Sequence, residues 1–258
     1  MSISVENLTF SYGNHKVLNG VSFQAGDGEL ISLLGANGAG KSTLFKCILG
    51  LLSGYTGKTV INGCDTAKIT PKELSRLVAY IPQSHYPSFN YSILDMVLMG
   101  MTSQLGSFSS PKREHIEKAE SALERLGILS LRDKGFTQVS GGERQLALIA
   151  RAITQNAQIL IMDEPASNLD YGNQIRLIRE IRTLAAEGYT VIQSTHNPDQ
   201  AFLSSGRILA LKGGQIIADG SPKDVITKDF VKEVYGVDVE IMNADNGKAR
   251  FCMPLGIL

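Results

Sequence analysis

Apolar and polar residues alternate through the first part of the chain. Ile3-Ser4-Val5, Leu8-Thr9-Phe10 and Val21-Ser22-Phe23 predict strands, separated by turns at Gly13-Asn14 and Gly26-Asp27-Gly28. Leu30-Ile31-Ser32-Leu33-Leu34 is a nearly unbroken apolar run and predicts a buried strand, followed by a helix from about Lys41 to Leu52. Further strands are expected at Thr59-Val60-Ile61-Asn62 and at Leu77-Val78-Ala79-Tyr80-Ile81, the second stopped by Pro82. From about Tyr91 the period lengthens to that of helices. Ile93, Leu94, Val97 and Leu98 share one face, and a Gly/Ser-rich loop runs from Gly100 to Ser110. Pro111 opens a helix carrying Ile116, Ala119, Leu123 and Leu126 and ending at Gly127; another starts at Gly141 and carries Leu146, Ile149, Ala150 and Ile153. Strand character returns at Gln158–Asp163 and Thr190–Ser194, around a helix with Leu177, Ile181 and Leu184 on one face. Residues 207–219 read as a hairpin turning at Gly213-Gly214, and a short amphipathic tail without an interpretable motif follows from Asp224.

A chain of 258 residues, 43% hydrophobic and 19% charged, can bury a sizeable core and is globular. Its net charge is zero, which argues against broad electrostatic binding to nucleic acid or anionic lipid. The three cysteines (Cys47, Cys64 and Cys252) form neither a CxxC pair nor a disulfide framework, so a reducing compartment is expected, with Cys47 in the core. The opening residues lack the basic and apolar regions of a signal peptide, and no apolar run approaches the ~20 residues of a membrane span.

The turn between the Leu30–Leu34 strand and its helix reads Gly35-Ala36-Asn37-Gly38-Ala39-Gly40-Lys41-Ser42-Thr43, a complete phosphate-binding loop. Its glycines let backbone N–H groups converge on an anion, and the helix aims its positive end at the same point. Lys41 would reach the β- and γ-phosphates of a nucleoside triphosphate, and the Ser42 hydroxyl would ligate Mg²⁺. The apolar strand Ile159–Met162 ends in two acids. Asp163 is placed to hold Mg²⁺ and Glu164 to act as general base on the attacking water. Ser140 and Glu143 match a capping box, yet a capping box does not need Gly141 and Gly142, so Ser140–Glu143 reads as a second phosphate-contacting element.

Phosphate loop, Ser-Gly-Gly-Glu signature, Asp-Glu strand and a later histidine, in this order over nearly the whole chain, resemble the ATP-binding cassette ATPases. The resemblance implies that Tyr12 stacks on adenine and that Gln83 contacts Mg²⁺ and water while sensing the transport partner. It implies that Ser167-Asn168-Leu169-Asp170 touches a second subunit and that His196 contacts the γ-phosphate. Val139 and Glu143 replace the more frequent Leu and Gln of the signature, and Ala166 replaces Thr or Ser; no acid, lysine or histidine is lost. The implied fold is α/β: a P-loop NTPase core with a parallel sheet, an antiparallel β subdomain and an inserted all-helical subdomain. The core would comprise residues 1–90 and 156–225 (RecA-like plus antiparallel β), the helical signature subdomain 91–155, and the C-terminal tail 226–258. Two copies would sandwich two ATP molecules, each site closed by the other copy's Ser140–Glu143.

Tyr91–Gly100, Ser140–Leu146, Asp170-Tyr171-Gly172-Asn173-Gln174 and Asn197–Ala201 are similar to segments of ATPases serving importers of iron–siderophore, haem and cobalamin. The resemblance implies two multi-span permeases, an external binding protein delivering cargo, and a place on the cytoplasmic face of the cell membrane. A groove between Gln83 and about Ser110 would receive the permease, with Met96, Met99 and Met101 as candidate adaptable contacts and helix core as the favoured alternative for Met96. Iron(III)–siderophore is the leading cargo, with haem, cobalamin or molybdate as alternatives. An exporter, or a soluble ABC protein of translation or DNA repair, fits less well: the chain has one cassette, no span, no long heptad run and no basic stripe.

Overall fold

Ile3, Val5, Leu8 and Phe10 are all buried although the first two are odd-numbered and the last two even. A bulge reconciles them: the register slips between Val5 and Leu8, and Asn7 turns to φ 48°, so the later residues return to the buried face. One strand, β1 (Ile3–Tyr12), therefore replaces the two short ones expected. The computed structural model describes residues 2–83, 89–102, 110–167, 169–204, 206–244 and 249–256. The chain divides into two units, one of Met1–Ile69 with Ile181–Leu258 and one of Thr70–Glu180.

The first unit begins with β1, β2 (His15–Ala25) and β3 (Leu30–Leu34), then α1 (Lys41–Ile48), β4 (Thr56–Ile61) and β5 (Cys64–Asp65). β2, β1, β4 and β5 form an antiparallel sheet in that order. Helix α1 stops four residues short of the expected Leu52. Gly50 adopts φ 63°, its N–H returns to the Cys47 carbonyl and that of Leu51 to the Lys46 carbonyl, a Schellman ending that closes the last turn. Cys47 is fully buried, as expected, and burial pushes its thiol up to about 11.

The second unit contains α2 (Pro71–Leu77), β6 (Val78–Ile81), α3 (Ile93–Leu98), α4 (Arg113–Arg125), α5 (Gly141–Gln155) and β7 (Ile159–Met162). α6 (Tyr171–Ala186) begins here and carries the chain back into the first unit. β6 pairs with β7 in parallel, and all four residues of β7 are buried. The 3₁₀ turn that follows α3 (Met99–Met101) meets α5 closely at Gly100, where any Cβ would strike the Arg151 carbonyl oxygen. There the Thr154 hydroxyl donates to the Val97 carbonyl at 3.0 Å. Met96 and Met101 are 1% exposed: Met96 lies in the helix core, the alternative its position offered, and Met101 is buried rather than the contact residue expected. The Gly/Ser-rich loop lies largely outside the described residues.

The first unit resumes with β8 (Thr190–Thr195), α7 (Pro198–Ser204), β9 (Arg207–Lys212) and β10 (Gln215–Gly220). β3 lies between β8 and β9, parallel to both, and β10 returns antiparallel to β9 as the expected hairpin. The C-terminal segment is more than a tail: α8 (Pro222–Val225) and α9 (Lys228–Tyr235) precede the hairpin of β11 (Val239–Ala244) and β12 (Ala249–Pro254). Val225, Phe230, Val231 and Val239 join Leu34, Ile208 and Ala210 in one core cluster.

Candidate functional site

The start of α1 differs from five other helix starts among the described residues. α2, α3, α5, α8 and α9 each begin on a Ser or Thr hydroxyl that accepts a first-turn N–H. α1 begins on Gly40, at φ 103°, which offers no side-chain cap, and has no acidic residue in its first turn. A helix start built this way suits an external anion. Glycine is needed at Gly35 for another reason: a Cβ there would strike the Leu211 carbonyl oxygen. Asn37 and Gly38 are exposed and Ala39 is half-buried, whereas Lys41 is only 5% exposed. The Lys41 ammonium donates to the carbonyls of Gly35 at 2.8 Å and Ala36 at 3.1 Å, so its charge sits inside the loop. Ser42 and Thr43 follow it, half-buried, on the first turn.

His196 belongs to the same unit. β3 and β8 run in register, Leu34 opposite Thr195, and the Gly35 N–H donates to the Thr195 carbonyl at 3.3 Å. His196 is the next residue and is exposed. Tyr12 ends β1 at 48% exposure, its ring edge-on to Phe10 with centroids 4.8 Å apart, which leaves a face open for stacking.

The acids form a second group, in the other unit. Asp163 follows β7 and its N–H donates to the Ile81 carbonyl at 2.8 Å. Its carboxylate is 3% exposed and accepts the Tyr80 hydroxyl, and burial together with the Asp163 charge holds the Tyr80 phenol well above its ordinary pKa. Tyr80 was not expected as a site residue; its place one residue before the end of a strand leading to Gln83 is the signal for it. Glu164 adopts φ 45°, unusual for a non-glycine residue, and is held there by Ser167, whose N–H and hydroxyl reach the Glu164 carbonyl at 3.1 and 2.9 Å. The Gln83 amide donates to the Glu164 carboxylate at 3.1 Å, so these two expected residues meet directly.

Ser140 and Glu143 form the expected capping box. The Glu143 N–H donates to Ser140 Oγ at 3.2 Å and the Ser140 N–H to the Glu143 carboxylate at 2.7 Å, which holds that carboxyl below its usual range. Gly141 follows on the first turn. Gly142 is buried, and a Cβ there would meet Leu169 at 3.3 Å and Asn173 at 3.4 Å, so packing alone already favours glycine. Asp170 caps α6, accepting the Asn173 N–H at 2.9 Å and its side-chain amide at 2.8 Å. Asn168 lies outside the described residues.

Residues 18–167 match the ABC transporter family, ABC_tran, a span that begins within β2 and takes in the phosphate loop, the Ser140–Glu143 segment and Glu164. The chain belongs to this family. A Haemophilus influenzae protein named "Uncharacterized ABC transporter ATP-binding protein" is 38% identical over 94% of this chain and 92% of its own length. A Helicobacter pylori protein named "Probable iron chelatin transport ATP-binding protein" is 37% identical over 95% and 97%. Among solved structures, that of a metal-chelate type ABC transporter in an inward-facing conformation superposes with a TM-score of 0.85 at 30% identity, over 98% of this chain and 97% of that one. The mixed α/β architecture is thus that of an ABC ATPase, and the cassette binds ATP. Among the described residues no helix is long and apolar enough to cross a membrane.

The chemistry of the donors fits Mg²⁺. Ser42 in one unit, and Asp163 and Gln83 in the other, each carry a side-chain oxygen, the donor atom that Mg²⁺ takes, and no group of three or more His, Cys, Asp or Glu among the described residues could hold a metal unaided. A cation that keeps several waters and leans on phosphate oxygens requires no more than this.

Proposed function

We propose that this cassette hydrolyses ATP to energise import of an iron chelate through a partner permease. The uncapped, lysine-bearing start of α1 carries the ATPase half of the reading. The relative named for iron chelatin transport, alike over nearly its whole length, supports the cargo half.

In this reading the loop 35–43 holds the triphosphate by its N–H groups and by Lys41, which moves from its carbonyl partners to the β- and γ-oxygens. Ser42, Asp163 and Gln83 would hold Mg²⁺, which when bound neutralises charge on the phosphates. Glu164 accepts a proton from the attacking water, whose oxygen bonds to the γ-phosphorus as the β–γ bridging bond breaks. Gln83, bonded to Glu164, reports occupancy towards the permease side. His196 contacts the γ-phosphate and Tyr12 the adenine. Ser140–Glu143, within a helical subdomain of residues 91–155, and Asp170 complete the site of a second copy. The protein would work as a homodimer on the cytoplasmic face of the membrane, served by an external binding protein.

The test is uptake of labelled iron–siderophore, haem and cobalamin by host cells lacking this chain. Restoration of iron–siderophore uptake by the normal chain and not by Glu164→Gln supports the reading. Restoration of another cargo alone corrects the substrate, and restoration of none overturns the chelate-import assignment and makes molybdate the next cargo to test.

A further inference from the structure

The C-terminal hairpin reaches back to the segment that carries His196. Thr195 Oγ accepts the Asn197 N–H at 3.1 Å and bonds the Gln200 side chain at 3.1 Å. Asn197 Oδ1 accepts the N–H groups of Asp199 at 2.9 Å and Gln200 at 3.3 Å. His196 lies between Thr195 and Asn197, so its backbone is fixed by the strand end on one side and the first turn of α7 on the other.

That turn is held in its turn by β12. The Cys252 N–H donates to Asp199 Oδ1 at 2.7 Å, a short bond to a charged acceptor and therefore a directional one. Burial and the Asp199 carboxylate push the Cys252 thiol up to about 12, so the thiol stays protonated beside that acceptor. One turn on, the Arg250 guanidinium stands 5.6 Å from the Phe202 ring centroid and donates to the Lys223 carbonyl at 3.3 Å. Beneath, Ile241, Cys252 and Phe202 pack against the cluster containing Ala201 and Phe230. The bonds of Thr195 and Asn197 hold the turn within itself; the Asp199 bond adds a directional tie from that turn to β12.

We propose that Asp199 is a positioning residue for ATP hydrolysis: by anchoring α7 to β12 at Cys252 it fixes where His196 stands. The inference rests on the role given to His196 above. Misplacing a group by about 1 Å can cost up to about 100-fold in rate. Binding of ATP, carried chiefly by loop 35–43, should change little.

The experiment measures kcat and KM for ATP, with melting temperatures, on the full chain. Asp199→Ala should lower kcat about tenfold with KM within about twofold, because a group acting in the transition state affects kcat first. Asp199→Asn keeps an acceptor oxygen and should recover most of the rate. In a His196→Ala background, Asp199→Ala should add nothing, since residues acting as a unit are not additive. Unchanged kcat in Asp199→Ala, failure of Asp199→Asn to rescue, or multiplying losses in the double variant would each overturn the proposal. If His196→Ala itself hydrolyses ATP normally, the role of His196 falls and this inference with it; if His196→Ala is impaired and Asp199→Ala is not, this inference falls alone.

Discussion

Glu164 and Lys41 separate turnover from binding at the scale of single residues. Glu164→Gln keeps the shape and a partner for Gln83 but cannot take a proton. We expect kcat to fall by about 10²–10⁴-fold, the range of general-base catalysis, with ATP affinity nearly unchanged. Equilibrium binding of a labelled nucleotide beside a phosphate-release assay checks both parts. Lys41→Ala removes an ammonium held by two loop carbonyls. Losing a charge-assisted contact of about 1.5–3 kcal/mol should weaken ATP binding by about 10- to 100-fold, and normal affinity would count against the loop as the triphosphate site. The residues whose chemistry is written in a local motif, such as Lys41, Ser140 and Glu143, were readable from sequence alone. Asp199 was not, and Tyr80 was marked only by its place in the strand leading to Gln83, because each acts through a partner brought close by tertiary folding: Asp163 in one case, the Cys252 backbone in the other.

Elements follow the same division between local and distant causes. α2 could have been found, since Thr70-Pro71 followed by Glu73 is a capping box with proline at its first position. The β11–β12 hairpin left little signal, because neither Val239–Ala244 nor Ala249–Pro254 alternates apolar with polar residues. The early end of α1 depends on Gly50, a glycine that in sequence reads equally well as part of the helix. The contact between the turn after α3 and α5 leaves no trace in periodicity, because it depends on what Gly100 lacks. Gly100→Ala forces backbone apart at Arg151 and should cost about 1–3 kcal/mol, visible as a lowered melting temperature with little change in kcat below it. The capping box of α5 predicts a pH effect. The Glu143 carboxyl is held below its ordinary 4.5 mainly by the Ser140 N–H. Its contribution is therefore complete above about pH 4.5 and is lost as pH falls through the lower folded value. Glu143→Gln should flatten stability against pH in that acid window alone, as measured by denaturant titration; an unchanged slope would exclude the carboxylate as the source.

At the scale of the whole molecule, the question is whether one chain makes a site by itself. The Ser140 end of α5 is exposed, and its cap is satisfied within the helix. Ser140→Arg removes the hydroxyl cap, at a cost of about 1 kcal/mol, but should leave the chain folded and single-chain nucleotide binding intact while its bulk and charge block approach to a second copy's triphosphate. Hydrolysis should stop. Lys41→Ala should also be inactive, for the separate reason that its own loop fails. Mixing the two variants distinguishes shared sites from private ones. In a mixed pair, the normal loop of the Ser140→Arg chain faces the normal Ser140 of the Lys41→Ala chain, so one complete site exists. Random pairing gives mixed dimers in about half of cases, each with one intact site of two, and activity of up to about a quarter of normal if sites act independently. Hydrolysis well above the sum of the separate variants would establish the composite site. Activity equal to that sum, with mixed dimers verified by differential tags, would mean either that each chain completes its own site or that both sites must fire together. Covalently linked normal and Lys41→Ala chains separate these: half activity means independent sites, and none means obligatory coupling.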